Sequence, residues 1–217
     1  MSAFNVFALT RQAVAPFELD GHRVELVDAG GGVFAAVERI AERPRVSEAA
    51  LRAQHDVVMR LAAAVDELLP ARFGSFMDEG ELRQLLALRR KIIDEALDLV
   101  RGRVQMTVRL KEDAAASSPP APALTARTSG TAYLEARRAA AAPRLPMSAT
   151  ALSAAVGHLV VAERAERSPG LHSASIYHLV AKEDVPRYTS AIWHLGAPDL
   201  SFSGPWPPFA FAPDLWV

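Results

Sequence analysis

Apolar and polar positions along this chain follow two rhythms. A period of two marks Arg103–Lys111: Val104, Met106, Val108 and Leu110 fall on one side, and Arg103, Gln105, Thr107, Arg109 and Lys111 on the other. That pattern predicts a strand with one covered and one solvated face. Phe4–Thr10 is aromatic and apolar and predicts an opening strand. His22–Val27 alternates less cleanly, and Val33–Ile40 follows as its hairpin partner across Asp28-Ala-Gly-Gly-Gly. The helical rhythm starts at Ser47, which caps a helix to about Leu68. Leu51, Val58, Leu61, Val65 and Leu68 form its apolar face, and Arg52, Asp56, Arg60 and Glu67 its wetter side. Asp78 and Glu81 form a capping pair for a helix carrying Leu82, Leu85, Leu86, Ile92, Ile93, Ala96 and Val100, which Gly102 terminates. Arg90 with Asp94, and Lys91 with Glu95, are surface pairs on that helix.

The second half opens with a change of composition. Glu112–Thr128 is rich in alanine and proline and predicts a loop. Gly130–Ala142 reads as a helix ended by Pro143, and Ala149–Arg167 as another, with Leu152, Val156, Leu159 and Val160 on its apolar side. Ala174–Ala181 is a strand. Asp184 caps a helix to about Leu195, packing Val185, Tyr188 and Ile192. Leu200–Ser203 is a last short strand, after which Gly204-Pro-Trp-Pro-Pro-Phe leaves the sheet. The predicted class is α+β, as two small domains whose mainly antiparallel sheets are packed by helices. The first spans 1–101. The second spans 102–217, resembles a modified ferredoxin-like fold, and carries the Pro/Ala-rich loop at 112–128.

Composition narrows the chemistry. Among 217 residues there is no cysteine, which excludes disulfides, thiolate metal sites and cysteine nucleophiles. Half the residues are hydrophobic, yet no uncharged run approaches the about 20 apolar residues of a membrane span. The amino terminus has no basic region before its apolar run, so a cytoplasmic protein is expected. Net charge is -1, and Arg72, Arg89-Arg90-Lys91, Arg101, Arg103 and Arg109 are interleaved with acids, so no nucleic-acid surface is expected. The glycines at 30–32 lack a following Gly-Lys-Ser/Thr and lead to a strand, so they are a turn rather than a phosphate loop. The histidines at 22, 55, 158, 172, 178 and 194 show no metal spacing; Met59 stands four residues after His55. His178, on a strand, and His194, on the helix that follows, are the one pair placed to meet, with a packed histidine as the plainer expectation. No nucleophile elbow or carboxylate pair stands out. Neither catalysis nor a metal or other cofactor is expected.

Two punctuated stretches remain. In Leu68-Leu-Pro-Ala-Arg-Phe-Gly-Ser-Phe76, Pro70 fixes the backbone and ends the preceding helix, and Gly74 permits a tight turn. Phe73 and Phe76 are expected to anchor the crossing of the two helices in the core. Arg72 either clamps nearby carbonyls or a carboxylate, or meets a partner. In Ser203-Gly-Pro-Trp-Pro-Pro-Phe209, prolines hold Trp206 and Phe209 as an internal seal or as a recognition surface.

These stretches carry a resemblance. With His55, Val100-Arg-Gly-Arg-Val104 and Tyr133-Leu-Glu-Ala-Arg137, they make the chain similar to the GvpL/GvpF family of gas vesicle proteins from near residue 4 to near residue 211. The resemblance implies two α+β domains, a cytoplasmic or gas-vesicle location, no enzymatic activity, and a role in forming the gas vesicle wall. It implies as partner the small hydrophobic shell protein, with other gas vesicle accessory proteins as further candidates. The implied role is an assembly factor or a minor wall component. Arg72, Phe73, Gly74, Phe76, Trp206 and Phe209 are the candidate partner-binding or structural residues. One departure stands out: Val104-Gln105-Met106 has glutamine where the family often has an acid.

Overall fold

The computed structural model describes residues 3–28, 30–111, 147–168 and 173–215. The expected loop at 112–128 and helix at 130–142 lie outside them. The first sheet holds β1 (Ala3–Thr10), β2 (Phe17–Leu19), β3 (His22–Asp28), β4 (Phe34–Ile40), β5 (Leu69–Pro70) and β6 (Phe76–Met77). Its order is β2-β3-β4-β1-β5, and β6 also pairs with β1. β1 is buried almost throughout because both of its faces are covered. On one face α1 (Glu48–Ala64) sets Val57, Val58 and Leu61 against Phe7, Ala8 and Ala36. On the other, α2 (Glu79–Leu88) and α3 (Arg90–Val100) set Leu82, Leu86, Ile93 and Leu97 against Phe4, Val6, Leu9 and Val37.

Two of the three expected N-caps form; Asp184 makes no cap bond and instead accepts from Arg187 at 2.9 Å, because a 3-10 turn over Lys182–Asp184 runs straight into the helix at Val185. Ser47 Oγ accepts from Ala50 N–H at 3.1 Å. Asp78 and Glu81 complete a reciprocal capping box. Other expectations are corrected. Helix α1 stops at Ala64, not Leu68, because the chain must be extended for Leu69 and Pro70 to pair with Leu9 and Ala8. Leu51 is 46% exposed, while Gln54 takes the end of the buried stripe and donates to the Ala71 carbonyl at 3.1 Å. The single helix expected from 78 to 100 breaks at Arg89 (φ −101°, ψ 11°), so that Leu82 and Leu97 face one core. Ile92 is left 43% exposed.

Glu67, expected on a wet helix side, is only 4% exposed and accepts from Arg101 Nε at 2.7 Å. It belongs to a charged network. Arg11 donates to Asp98 at 2.8 Å and to Asp94 at 3.0 Å, and Arg90 Nε donates to Asp94 at 2.6 Å. The hydrogen bond from Arg90, reinforced by Arg11, holds the Asp94 carboxyl below the usual carboxylate range against the opposing effect of burial. Arg90 also reaches the β3–β4 turn, donating to the carbonyls of Gly30 at 2.9 Å and Gly31 at 2.5 Å. The glycine turn therefore presents carbonyls to a cation. A Cβ on Gly31 (φ 61°) would stand 1.9 Å from Arg90 Nη1. Gly31→Ala is expected to release this clamp and cost about 1–2 kcal/mol, read as a lower urea midpoint at unchanged slope.

The second sheet holds β7 (Arg103–Lys111), β8 (Val160–Ser168), β9 (Ser173–Ala181) and β10 (Leu200–Trp206), in the order β10-β7-β9-β8. Helices α4 (Met147–Val156) and α5 (Val185–Leu195) cover one face, where Leu152, Val156, Tyr188 and Ile192 meet Met106, Val108, Leu110 and Ile176. This is a ferredoxin-like arrangement. The helix expected over 149–167 is corrected. It ends at Val156, a short 3-10 turn spans Gly157–Leu159, and the chain continues as β8. Pairing with β9 overrides the helix propensity of Ala-Glu-Arg-Ala-Glu-Arg.

The polar side of β7 is not a solvated face along its length. Gln105 and Thr107 are 5% and 8% exposed, because the end of the chain crosses that face. Gln105 Oε1 accepts from Ala210 N–H at 2.7 Å, and its amide nitrogen donates to Thr107 Oγ1 at 3.2 Å. Beyond them, Phe211 and Leu215 enter the core that contains Phe4 and Leu97. β10 also runs further than expected. It passes a bulge after Ser203 and still pairs Trp206 with Gln105. As an edge strand it tolerates Pro205.

Candidate functional site

The two punctuated stretches fold differently. Leu68–Phe76 makes a two-sided excursion from the edge of β1. Ala71 N–H donates to the Phe7 carbonyl and Val6 N–H to the Ser75 carbonyl, both at 2.8 Å. Between these anchors the chain turns outward at Arg72–Ser75. Ser75 donates to the Arg72 carbonyl through its N–H at 3.2 Å and its hydroxyl at 2.7 Å, and Gly74 adopts φ 79°. The buried members are Leu68, Leu69, Pro70, Ala71 and Ser75. Phe73 and Phe76, expected in the core, are only half-buried: Phe73 lies in the outward turn, and Phe76 in the two-residue strand β6 beside Asn5 of β1. Phe76 lies beneath the Arg43 guanidinium at 5.9 Å. Arg72 is exposed and reaches a carboxylate, Asp214, at 3.3 Å.

The second stretch packs on α1. Its backbone is set by Pro205, Pro207 and Pro208, of which the last two are buried. Trp206 is half-buried, donates Nε1–H to Ser203 Oγ at 3.1 Å, and meets the His55 ring edge-on at 5.7 Å. Phe209 stacks on the same imidazole at 6.3 Å, 18° from parallel, and stays 39% exposed. Beside this trio lies a cleft of about 180 Å³, walled by Met59, Ala62 and Leu68 on one side and Pro205, Pro207 and Pro208 on the other. Arg103, Lys182 and Asp66 also line it, and Lys182 Nζ donates to the Val65 carbonyl at 3.2 Å.

The structure thus joins Trp206 and Phe209 through His55, and ties Arg72 to the chain end through Asp214. Among the described residues, no aromatic contact joins Phe73 or Phe76 to Trp206 or Phe209.

One polar constellation is not visible in the sequence. His178 is 1% exposed; its Nδ1 meets the Tyr188 hydroxyl at 2.6 Å and its Nε2 meets Glu163 at 3.0 Å. Burial lowers the His178 pKa, with Glu163 opposing, and burial followed by the charge of Glu163 raises that of Tyr188. His194, the imagined partner of His178, instead bonds the Ser190 carbonyl of its own helix at 2.6 Å. Alternation along β9 places His178 on the helix-facing side, but the one-turn register that brings Tyr188 over it is tertiary. Among the described residues no group of three or more His, Asp or Glu is placed to hold a metal ion, and no helix is long and apolar enough to cross a membrane.

Comparison with known proteins agrees with this architecture. The crystal structure of the gas vesicle protein GvpF from Anabaena sp. PCC7120 superposes with a TM-score of 0.72 at 17% identity, covering 98% of this chain and 99% of that one. That of GvpF from Microcystis aeruginosa gives 0.73 at 14% identity, covering 97% and 99%. At such identities these likenesses speak for the fold alone. A search of curated proteins finds no match. The family described as gas vesicle synthesis protein GvpL/GvpF matches residues 5–213, nearly the whole sequence, and the chain belongs to that family.

Proposed function

We propose that this protein acts in the assembly or nucleation of the gas vesicle wall by binding the small hydrophobic shell protein. The observation that carries this reading is an apolar surface held ready in a chain of this family. Trp206 and Phe209 are half-exposed and packed on His55 beside buried prolines, and Trp206 lines a mostly apolar cleft. Rigid aromatic groups lose little entropy on binding and commonly dominate interfaces. Arg72, Phe73 and Gly74 in the outward turn, with Phe76 in the strand that follows, offer a second contact of the same kind. The working location is the cytoplasm and the vesicle, other accessory proteins are further partners, and no reaction is assigned. We also place the boundary between the two units at 101/102.

The second reading, a retained minor wall component, is less favoured. No uncharged run of the sequence approaches the about 20 apolar residues of a membrane span, and none of the described helices is long and apolar enough to cross a membrane. Co-purification of the tagged protein from cells assembling gas vesicles separates these. Capture of the shell protein is expected, with Trp206→Ala reducing it about tenfold or more while thermal unfolding stays close to wild type. Arg72→Ala tests the second turn in the same way. No capture from soluble or vesicle fractions would refute direct binding, and stoichiometric retention on washed vesicles would favour the wall component.

A further inference from the structure

β8 forms an open edge of the second sheet among the described residues. It pairs only with β9. Val161 is 49% exposed and every residue from Glu163 to Glu166 is exposed. The opposite edge, β10, is interrupted by a bulge and by Pro205, and the β2 edge of the first sheet is three residues long. β8 has one irregularity, near its start, and its register with β9 is regular from Ala162 to Ser168.

Natural edge strands avoid self-pairing by carrying repelling charges, prolines or bulges. The regular part of β8 does the opposite. Its sequence is Ala162-Glu-Arg-Ala-Glu-Arg-Ser168. Laid antiparallel against itself about Ala165, it sets Arg164 opposite Glu166 and Glu163 opposite position 167, an arginine. The two-fold axis repeats each pairing, so every charged position meets an opposite charge. Sliding by one residue in either direction sets Glu163 against Glu166, or Arg164 against position 167, both like-charge pairs. Directly opposed charges on adjacent strands stabilise when unlike and destabilise when alike. The charges thus favour the register about Ala165 over both of its neighbours. That register also keeps side-chain parity, so the helix layers of both copies stay on one side of a continuous sheet.

We propose that β8 is a self-association surface, pairing antiparallel with β8 of a second copy of this chain about a two-fold axis at Ala165. The exposed backbone edge supplies the hydrogen bonds, and the Glu-Arg-Ala-Glu-Arg pattern fixes the register. The interface is isologous and closes at two copies. It lies on different residues from the aromatic cleft and does not depend on the shell-protein reading.

Sedimentation velocity of the full chain tests it. The wild type is expected to dimerise in a concentration-dependent way, and more weakly at high salt. Arg164→Glu and Glu166→Arg should each weaken the dimer about tenfold or more, because each sets like charges opposite one another. An equimolar mixture of the two variants should recover a dimer, since Glu at 164 then faces Arg at 166. Tyr177→Phe, which removes only the intrachain bond to Glu166, should leave association unchanged. A readout that keeps the native charges uses the absence of cysteine from the chain. Ala165→Cys places a thiol across the axis from its own copy and should oxidise to a covalent dimer, whereas Val161→Cys should not. A monomer at every attainable concentration, a dimer indifferent to both charge reversals, or a mixture that stays monomeric would overturn the proposal.

Discussion

Phe211→Ala is expected to lower the unfolding free energy by about 3–5 kcal/mol, more than any other substitution in the terminal stretch. Phe211 is 3% exposed and sits in the core formed by β1, β4, α2 and α3, although it follows the last strand of the other sheet. The chain end is therefore a staple. It leaves β10 at Trp206, is held to β7 by Ala210 N–H on Gln105, and inserts Phe211 and Leu215 into the first core. Arg164 lies over the Phe211 ring at 5.8 Å, so the staple touches both sheets. Truncation to alanine removes a large apolar side chain and leaves a cavity bounded by two units, neither of which can collapse freely onto it. Urea unfolding followed by far-UV circular dichroism and by tryptophan emission measures the effect. If Phe211 couples the two units, the variant should split one transition into two, or lower the slope of a single one. A loss below about 1 kcal/mol with a single unchanged transition would show that the chain end is a passive appendage.

The same staple explains why parts of this fold were legible in the sequence and others were not. Local features were legible. The Asp78–Glu81 capping box, the left-handed Gly102 and the alternation of β7 depend on residues within a few positions of one another. The burial of Gln105 was not, because the group that covers it, Ala210, comes from the far end of the chain. The β8 segment has the composition of a helix, since alanine, glutamate and arginine favour helices, and only the ladder with β9 decides otherwise. Its alternation of charge is compatible with either period. The candidate site was partly legible. The family resemblance sets His55 with the Leu68–Phe76 stretch, whereas the proline-held aromatic residues Trp206 and Phe209 stand out by composition. Their contact with that ring is tertiary. Apolar character alone puts Phe73 and Phe76 in the core, whereas the turn at Gly74 leaves Phe73 half-buried and pairing with β1 leaves Phe76 so.

Acidification is expected to destabilise the second sheet and its helices from about pH 6.5 downward, through His178. Both ring nitrogens are committed in a way that suits the neutral imidazole. Nε2–H donates to Glu163, and Nδ1 accepts from the Tyr188 hydroxyl. A proton on Nδ1 would turn Tyr188 from donor to acceptor and leave its own hydrogen without a partner in a fully buried site. Across the ladder β7 presents Met106, α4 carries no ionisable residue and α5 no acid, so among the described residues Glu163 is the charge that favours protonation. Burial outweighs it, and the folded pKa lies below the ordinary 6.5. Between the folded and unfolded values the unfolded chain binds more protons, so stability is fully present above about pH 6.5 and falls as pH falls through that window. Thermal unfolding at about pH 8 and about pH 5.5 should show the decline in the wild type. His178→Gln should be less stable at the higher pH and flatter between the two. Tyr188→Phe should cost about 1–3 kcal/mol at neutral pH by stranding the Nδ1 acceptor, and should shrink the pH dependence, since a protonated Nδ1 no longer forces a buried hydroxyl to reverse. Equal pH slopes in the wild type and His178→Gln would assign the decline to other groups and leave the buried imidazole as packing alone.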